Sequence, residues 1–171
     1  GRAGAPAIGA VCDKGISHAR NEDAMATALT PSGLAVVVVC DGVTTAPDSD
    51  RASLAASASA RDVLAAAPVT TGAFAARLSA WEPVLAASCR AANAEAVAIA
   101  RTLGDPPEPP SCTFVAAVVE ADLIAIAWCG DSRAYWLPDG PDDAGVAGTE
   151  GGAAGDGEQL TLDHSLGTEM I

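Results

Sequence analysis

Residues 34–40 read Leu-Ala-Val-Val-Val-Val-Cys, an uninterrupted apolar run with four consecutive valines. β-Branched side chains favour the pleated backbone, and a strand with one face in water would alternate apolar with polar residues. This run does not alternate, so it reads as a strand covered on both faces at the centre of a sheet. The rest of the chain has to supply its neighbours and its covering layers.

Asp23 to Leu29 reads as a short strand, joined to the run through a tight turn at Pro31-Ser32-Gly33. Residues 51–67 and 74–103 are Ala-rich with apolar positions at helical spacing, and Pro68 with Gly72 separates them. Pro83 is expected to delay or kink the second helix. Asp48 to Arg51 has the look of a capped helix start, with Ser49 or Asp50 as the cap. After a proline-dense loop at 105–110, Cys112 to Val119 and Leu123 to Cys129 read as a hairpin turning at Glu120-Ala121-Asp122, and Arg133 to Leu137 as a further short strand. Residues 138–158 are rich in Gly, Ala and Asp without periodicity, which predicts a flexible insertion. Strands do not alternate with single helices, so the order predicts an α+β fold with antiparallel sheets.

Half of the 171 residues are hydrophobic, enough for one buried core. Nine basic residues against 22 acidic ones leave a net charge of -13. That field repels a phosphate backbone, so nucleic acid is not an expected partner. No apolar run approaches the roughly 18 residues of a membrane span, and no membrane association is predicted. The five cysteines are dispersed without a CxxC pair. Cys40, Cys112 and Cys129 sit in or beside apolar runs and read as small buried hydrophobes in a reducing compartment, which makes the cytoplasm the expected location.

The valine strand delivers Asp41 and Gly42 at its end, where a carboxylate leaves the core while the ladder holds its backbone. Asp-Gly there either opens a turn and nothing more, or presents a rigid ligand. Glu22 and Asp23 at the start of the preceding strand, and Asp131 just after the run Leu123–Gly130, are placed in a comparable way. Carboxylates at three strand ends suit a hard divalent ion such as Mg²⁺ or Mn²⁺, which takes oxygen ligands. Neither a Gly-x-Ser-x-Gly elbow nor a CxxxxxR phosphate loop is present, so nothing marks a protein nucleophile.

Taken in order, Asn21-Glu22-Asp23, Asp41-Gly42, Ser111-Cys112-Thr113, Gly130-Asp131-Ser132-Arg133-Ala134-Tyr135 and Leu160-Thr161-Leu162-Asp163-His164-Ser165 resemble the motifs of the metal-dependent protein phosphatases of type 2C, the PPM family, in its bacterial single-domain branch. The resemblance implies an α-β-β-α sandwich of two antiparallel sheets flanked by helices, with a centre of two Mn²⁺ or Mg²⁺ ions and a third in bacterial members. It implies that Asp41 bridges two ions, that the Gly42 carbonyl binds one, that Glu22 and Asp23 orient metal-bound waters, and that Asp131 helps to hold the third. Asp41 and Asp23 are thus the candidate catalytic residues, and Asp41, Gly42, Asp131, Glu22 and Asp23 the candidate metal ligands. The implied reaction is hydrolysis of phosphoserine or phosphothreonine by a metal-bridging water. The implied partner is a phosphorylated protein, a kinase or its targets, met by a monomeric enzyme.

The chain departs from the family pattern at several points. His18 stands where the family has a phosphate-binding Arg, and His18 or the nearby Arg20 is the candidate phosphate contact. Val43-Thr44-Thr45 replaces the glycine pair that usually follows Asp-Gly. The family's remaining metal aspartates belong to motifs beyond Ser165, so residues 1–171 read as the C-terminally truncated, N-terminal part of a single catalytic domain, impaired in this form. The alternative is a non-catalytic phosphoprotein-binding or regulatory module on the same fold. Arg133, Tyr135 and His164 are expected to pin local turns, and Trp81, Trp128 and Trp136 to pack in the core or at the cleft rim.

Overall fold

The computed structural model describes residues 7–14, 16, 20–137 and 157–164. The chain enters β1 (Ala24–Leu29), turns at Gly33 with φ of 90°, and returns as β2 (Ala35–Cys40), the valine run. Two helices follow, α1 (Ser49–Ala65) and α2 (Phe74–Thr102), and then the hairpin of β3 (Phe114–Glu120) and β4 (Leu123–Cys129). Two short strands, β5 (Tyr135–Trp136) and β6 (Glu158–Gln159), complete the described elements. The order in the main antiparallel sheet is β1-β2-β3-β4, and β5 pairs with β6 in a second antiparallel sheet. The architecture is α+β, as expected.

The register puts the valine run on an inner strand, with Val38 opposite both Ala26 of β1 and Ala116 of β3. Its even-numbered side chains, Val36, Val38 and Cys40, are fully buried against Ala56, Ala60 and Leu64 of α1 and Trp81 and Leu85 of α2. Each such Val or Leu contributes roughly 2 kcal/mol through the area it removes from water. On the other face Val37 and Val39 are half-buried, because among the described residues both helices pack on the even face. The expected double covering is therefore complete on one side only.

α1 lies close because its inner face is small: Ala52, Ser53, Ala56, Ser57 and Ala60 are buried. The Ser57 hydroxyl donates to the Leu54 carbonyl of its own helix and the Ser53 hydroxyl to the Glu22 carbonyl ahead of β1, so the buried polar groups are satisfied. The expected cap is corrected. Asp48, left-handed at φ of 55°, occupies the cap position and makes no side-chain cap bond. Ser49 and Asp50 lie inside the first turn, where their side chains cannot reach back as a cap does; the Ser49 hydroxyl donates to the Ala46 carbonyl instead. Pro83 does not delay α2, which begins at Phe74 and continues past it to Thr102.

Two further expectations change. Cys129 is exposed, because β4 is an edge strand and its end reaches the rim of the sheet, whereas Cys40 is buried as expected and Cys112 half-buried. The proposed insertion at 138–158 lies outside the described residues for 138–156, and its last residue, Glu158, belongs to β6 opposite Trp136. That strand was hidden from sequence reading because two residues carry no periodicity.

At the far end of β3 stands a buried charge. Glu120 accepts hydrogen bonds from the backbone N–H and hydroxyl of Thr70 and from Trp81 Nε1 at 3.1 Å, with Arg77 Nη2 3.5 Å away. Arg77 also donates to the Glu120 carbonyl at 2.9 Å and to Asp122 at 2.7 Å. One carboxylate thus ties the helix connection, α2 and the hairpin together. Burial alone would raise the Glu120 carboxyl, but the Thr70 and Trp81 hydrogen bonds and the Arg77 charge outweigh it and hold it below its ordinary value. Its stabilising contribution is therefore complete above the ordinary value of 4.5 and disappears as pH falls through the lower folded value. Glu120→Gln is expected to cost about 2 kcal/mol at pH 7, from charge-assisted bonds lost, and urea midpoints at pH 7 and pH 3 should show the gap to wild type shrinking in acid.

Candidate functional site

The main sheet ends where β2 does, but pairing between chain segments continues one step further. Gly42 forms a bridge with Cys112, the Val43 N–H donates to the Ser111 carbonyl at 2.9 Å, and the Thr113 N–H donates to the Asp41 carbonyl at 2.8 Å. The Asp41 N–H donates to Thr113 Oγ1 at 3.0 Å. Asp41 therefore leaves the core on a backbone held on both sides, with its carboxylate in the open.

A second segment is locked onto this crossing. The Glu22 carbonyl accepts the Gly42 N–H at 3.1 Å and the Ser53 hydroxyl of α1 at 2.5 Å. A Cβ on Gly42 would lie 2.6 Å from that carbonyl oxygen and 3.0 Å from the Ser49 carbonyl, so only glycine fits. Asn21 accepts the Asp23 N–H on Oδ1 at 3.1 Å, a local turn that sets Asp23 at the start of β1.

Asp41, Asp23 and Glu22 line a cavity of about 310 Å³ together with Asp13, Lys14 and Arg20. Partial desolvation there, then the hydrogen-bonded Asp23 carboxyl and the charges of Asp23, Asp131 and Glu22, push Asp41 up to about 6. Carboxylates crowded this way repel one another, and an all-oxygen donor set of that kind is what a hard divalent ion satisfies. Among the described residues, no imidazole or thiol lines the cavity. The all-oxygen set therefore fits Mn²⁺ or Mg²⁺ in kind, although among the described residues no three His, Cys, Asp or Glu side chains stand close enough together to hold an ion.

Arg20 is well exposed, 3.4 Å from Asp50 and 4.0 Å from Asp48. His18, the other candidate phosphate contact, lies outside the described residues. Lys14 was not singled out in the sequence, although it is the only lysine of the chain and falls just ahead of the Asn-Glu-Asp motif. The structure thus gathers Asp41, Asp23, Glu22 and Arg20 around one cavity, which Gly42, next in the chain to Asp41, does not line. Asp131 does not line it, though its charge acts on Asp41.

Asp131 is positioned by the returning segment at 157–164. Arg133 pairs with Asp163 at 2.5 Å, the His164 N–H donates to the Gly130 carbonyl at 2.9 Å, and the His164 ring stacks on Trp128. The buried Thr161 hydroxyl accepts the Ala134 N–H at 3.2 Å. Arg133 and His164 thus pin the chain around Asp131, as expected. Trp81 is core, and Trp136 is exposed.

Several solved structures share this fold. The serine/threonine phosphatase PstP/Ppp of Mycobacterium tuberculosis is 22% identical with a TM-score of 0.66, over 93% of this chain and 55% of that one. The PPM Ser-Thr phosphatase MsPP of Mycobacterium smegmatis is 24% identical with a TM-score of 0.64, over 94% and 55%, and Stp1 of Staphylococcus aureus is 20% identical with a TM-score of 0.64, over 91% and 52%. The chain spans about half the length of these structures. No curated protein matches the sequence. The family model described as protein phosphatase 2C matches residues 15–144, a stretch that contains Asn21-Glu22-Asp23, Asp41-Gly42 and the Thr113 and Asp131 segments, and the chain belongs to that family.

Proposed function

We propose that the chain carries part of the metal centre of a phosphoprotein phosphatase that hydrolyses phosphoserine and phosphothreonine with Mn²⁺ or Mg²⁺. The observation that supports this most directly is the convergence of charge on Asp41, a carboxylate on a doubly braced backbone with Asp23, Asp131 and Glu22 acting on it. On this reading residues 1–171 are part of one catalytic domain, and the partner is a phosphorylated protein, a kinase or its targets, met by a monomer. None of the described helices is long and apolar enough to cross a membrane.

Asp41 and the Gly42 carbonyl would hold the two principal ions, Glu22 and Asp23 would accept from waters around them, and Asp131 would help to hold a third. When bound, the ions acidify a water and neutralise charge on the phosphoryl group. The chain's own task is placement. The crossing of residues 41–43 with 111–113 fixes where Asp41 points, and the Asn21 turn fixes Asp23. Arg20, with His18 in the same stretch of chain, orients the phosphate dianion, for which a guanidinium offers paired donors.

Hydrolysis of a phosphothreonine peptide should require Mn²⁺, stop with EDTA, and fall at least about 100-fold in Asp41→Ala, as expected when a metal ligand is lost. It should be measured for this chain and for any longer form that its gene encodes. Folded protein without metal-dependent turnover in any form would leave the phosphoprotein-binding module in its place. Gly42→Ala should cost about 1–3 kcal/mol in a urea melt and lower turnover with it, because the new methyl forces Glu22 and Ser49 carbonyls apart.

A further inference from the structure

Thr113 makes more connections at the crossing than a strand-end residue needs. Its Oγ1 accepts the Asp41 N–H at 3.0 Å and lies 2.5 Å from Ser132 Oγ, sharing a hydrogen bond in which either hydroxyl can donate. Its own N–H donates to the Asp41 carbonyl at 2.8 Å. Its methyl also occupies the space above Gly130: a Cβ built there would come within 2.9 Å of Thr113 Cγ2, and Gly130 is left-handed at φ of 102°. One half-buried side chain therefore touches the backbone of Asp41 on one side and both neighbours of Asp131, Gly130 and Ser132, on the other. Asp41 and Asp131 follow different strands and lie 90 residues apart, and the charge of Asp131 acts on Asp41.

We propose that Thr113 is a positioning residue, which with Ser132 sets the separation and orientation of the Asp41 and Asp131 carboxylates and thereby the affinity of the centre for its divalent ions. The inference rests on the reading of these carboxylates as metal ligands. The hydroxyl and the methyl have separate duties. The hydroxyl links Asp41 to Ser132, and the methyl holds the turn at Gly130. Groups that orient ligands without touching the ion typically account for about 10–100-fold in metal affinity.

Thr113→Val keeps the shape and methyl but leaves the Asp41 N–H and the Ser132 hydroxyl without their common partner, and Thr113→Ser keeps the hydroxyl alone. Two measurements on the full chain separate the possibilities. In hydrogen exchange, the Asp41 amide should lose protection in Thr113→Val and keep it in Thr113→Ser, whether or not metal is present. In Mn²⁺ titrations followed by electron paramagnetic resonance, Thr113→Val should weaken binding about 10–100-fold and Thr113→Ser by less than about 3-fold. Glu120→Gln, which loosens the opposite end of β3, is the control and should leave Mn²⁺ affinity unchanged. Ser132→Ala removes the second half of the link without altering Thr113, and should weaken Mn²⁺ binding in the same direction if Thr113→Val fails to fold.

Unchanged Asp41 protection and unchanged Mn²⁺ affinity in Thr113→Val would overturn the proposal. So would an equal loss of affinity in Glu120→Gln, since general destabilisation would then explain both. Mn²⁺ binding that Asp41→Ala does not weaken would instead overturn the metal-ligand reading itself, a failure that the wild-type and Asp41→Ala titrations reveal before any Thr113 variant is compared.

Discussion

Everything at the candidate site depends on the antiparallel pairing of β2 with β3 and its continuation to Gly42 and Cys112. Inside the sheet this pairing is secured by burial, since Val36, Val38 and Val118 are wholly out of water and a one-residue slip would turn them to the other face. Past the sheet, burial ends but the register persists, carried by the bonds between residues 41–43 and 111–113. The apolar core thus acts at a distance: it determines which residue of the second segment meets Asp41. A carboxylate on a free loop would have to be ordered on binding, at about 1–2 kcal/mol per residue of backbone. Here that cost is met during folding.

The parts of the structure legible in the sequence are those with a strong period or a single dominating residue. The valine run could only be an inner strand, and the Ala-rich stretches had helical spacing over many turns, so β2, α1 and α2 were within reach. Asp41 was legible for the same reason, because a carboxylate directly after such a run has its backbone placed by the strand. The helix cap was misread because Asp48, Ser49 and Asp50 are all good caps by type. Only the left-handed backbone at Asp48 decides among them, and with Asp at both 48 and 50 the residue type does not say which adopts it. β6 and the exposure of Cys129 depend on which segments meet in space. Local pattern carries no record of that.

Contacts across long sequence separation explain the residues whose roles were least visible. Thr113 appeared only as part of a motif, since a lone threonine before an apolar strand is ordinary. Its significance comes from Asp41 and Ser132, 72 and 19 residues away. Glu120 shows the opposite case. A charged residue ending the strand Phe114–Glu120 looked like the start of a turn, but Thr70, Arg77 and Trp81 close over it from the helical layer. A buried carboxylate tolerates that position only because each partner is present at once.

Electrostatics set a further condition on the proposed chemistry. With a net charge of -13, the chain as a whole repels a phosphorylated peptide. Screening confines that repulsion to about 8 Å at physiological ionic strength, so the outcome is decided locally. Among the described residues the cations at the cavity are Arg20 and Lys14, and Arg20 is partly neutralised by Asp50 and Asp48. Those two side chains do not offset Glu22, Asp23, Asp41 and an incoming phosphate dianion. On the proposed reading, the acidic cavity would accept a phosphoryl group only with divalent charge beside it, and metal would be a condition of substrate binding as well as of hydrolysis.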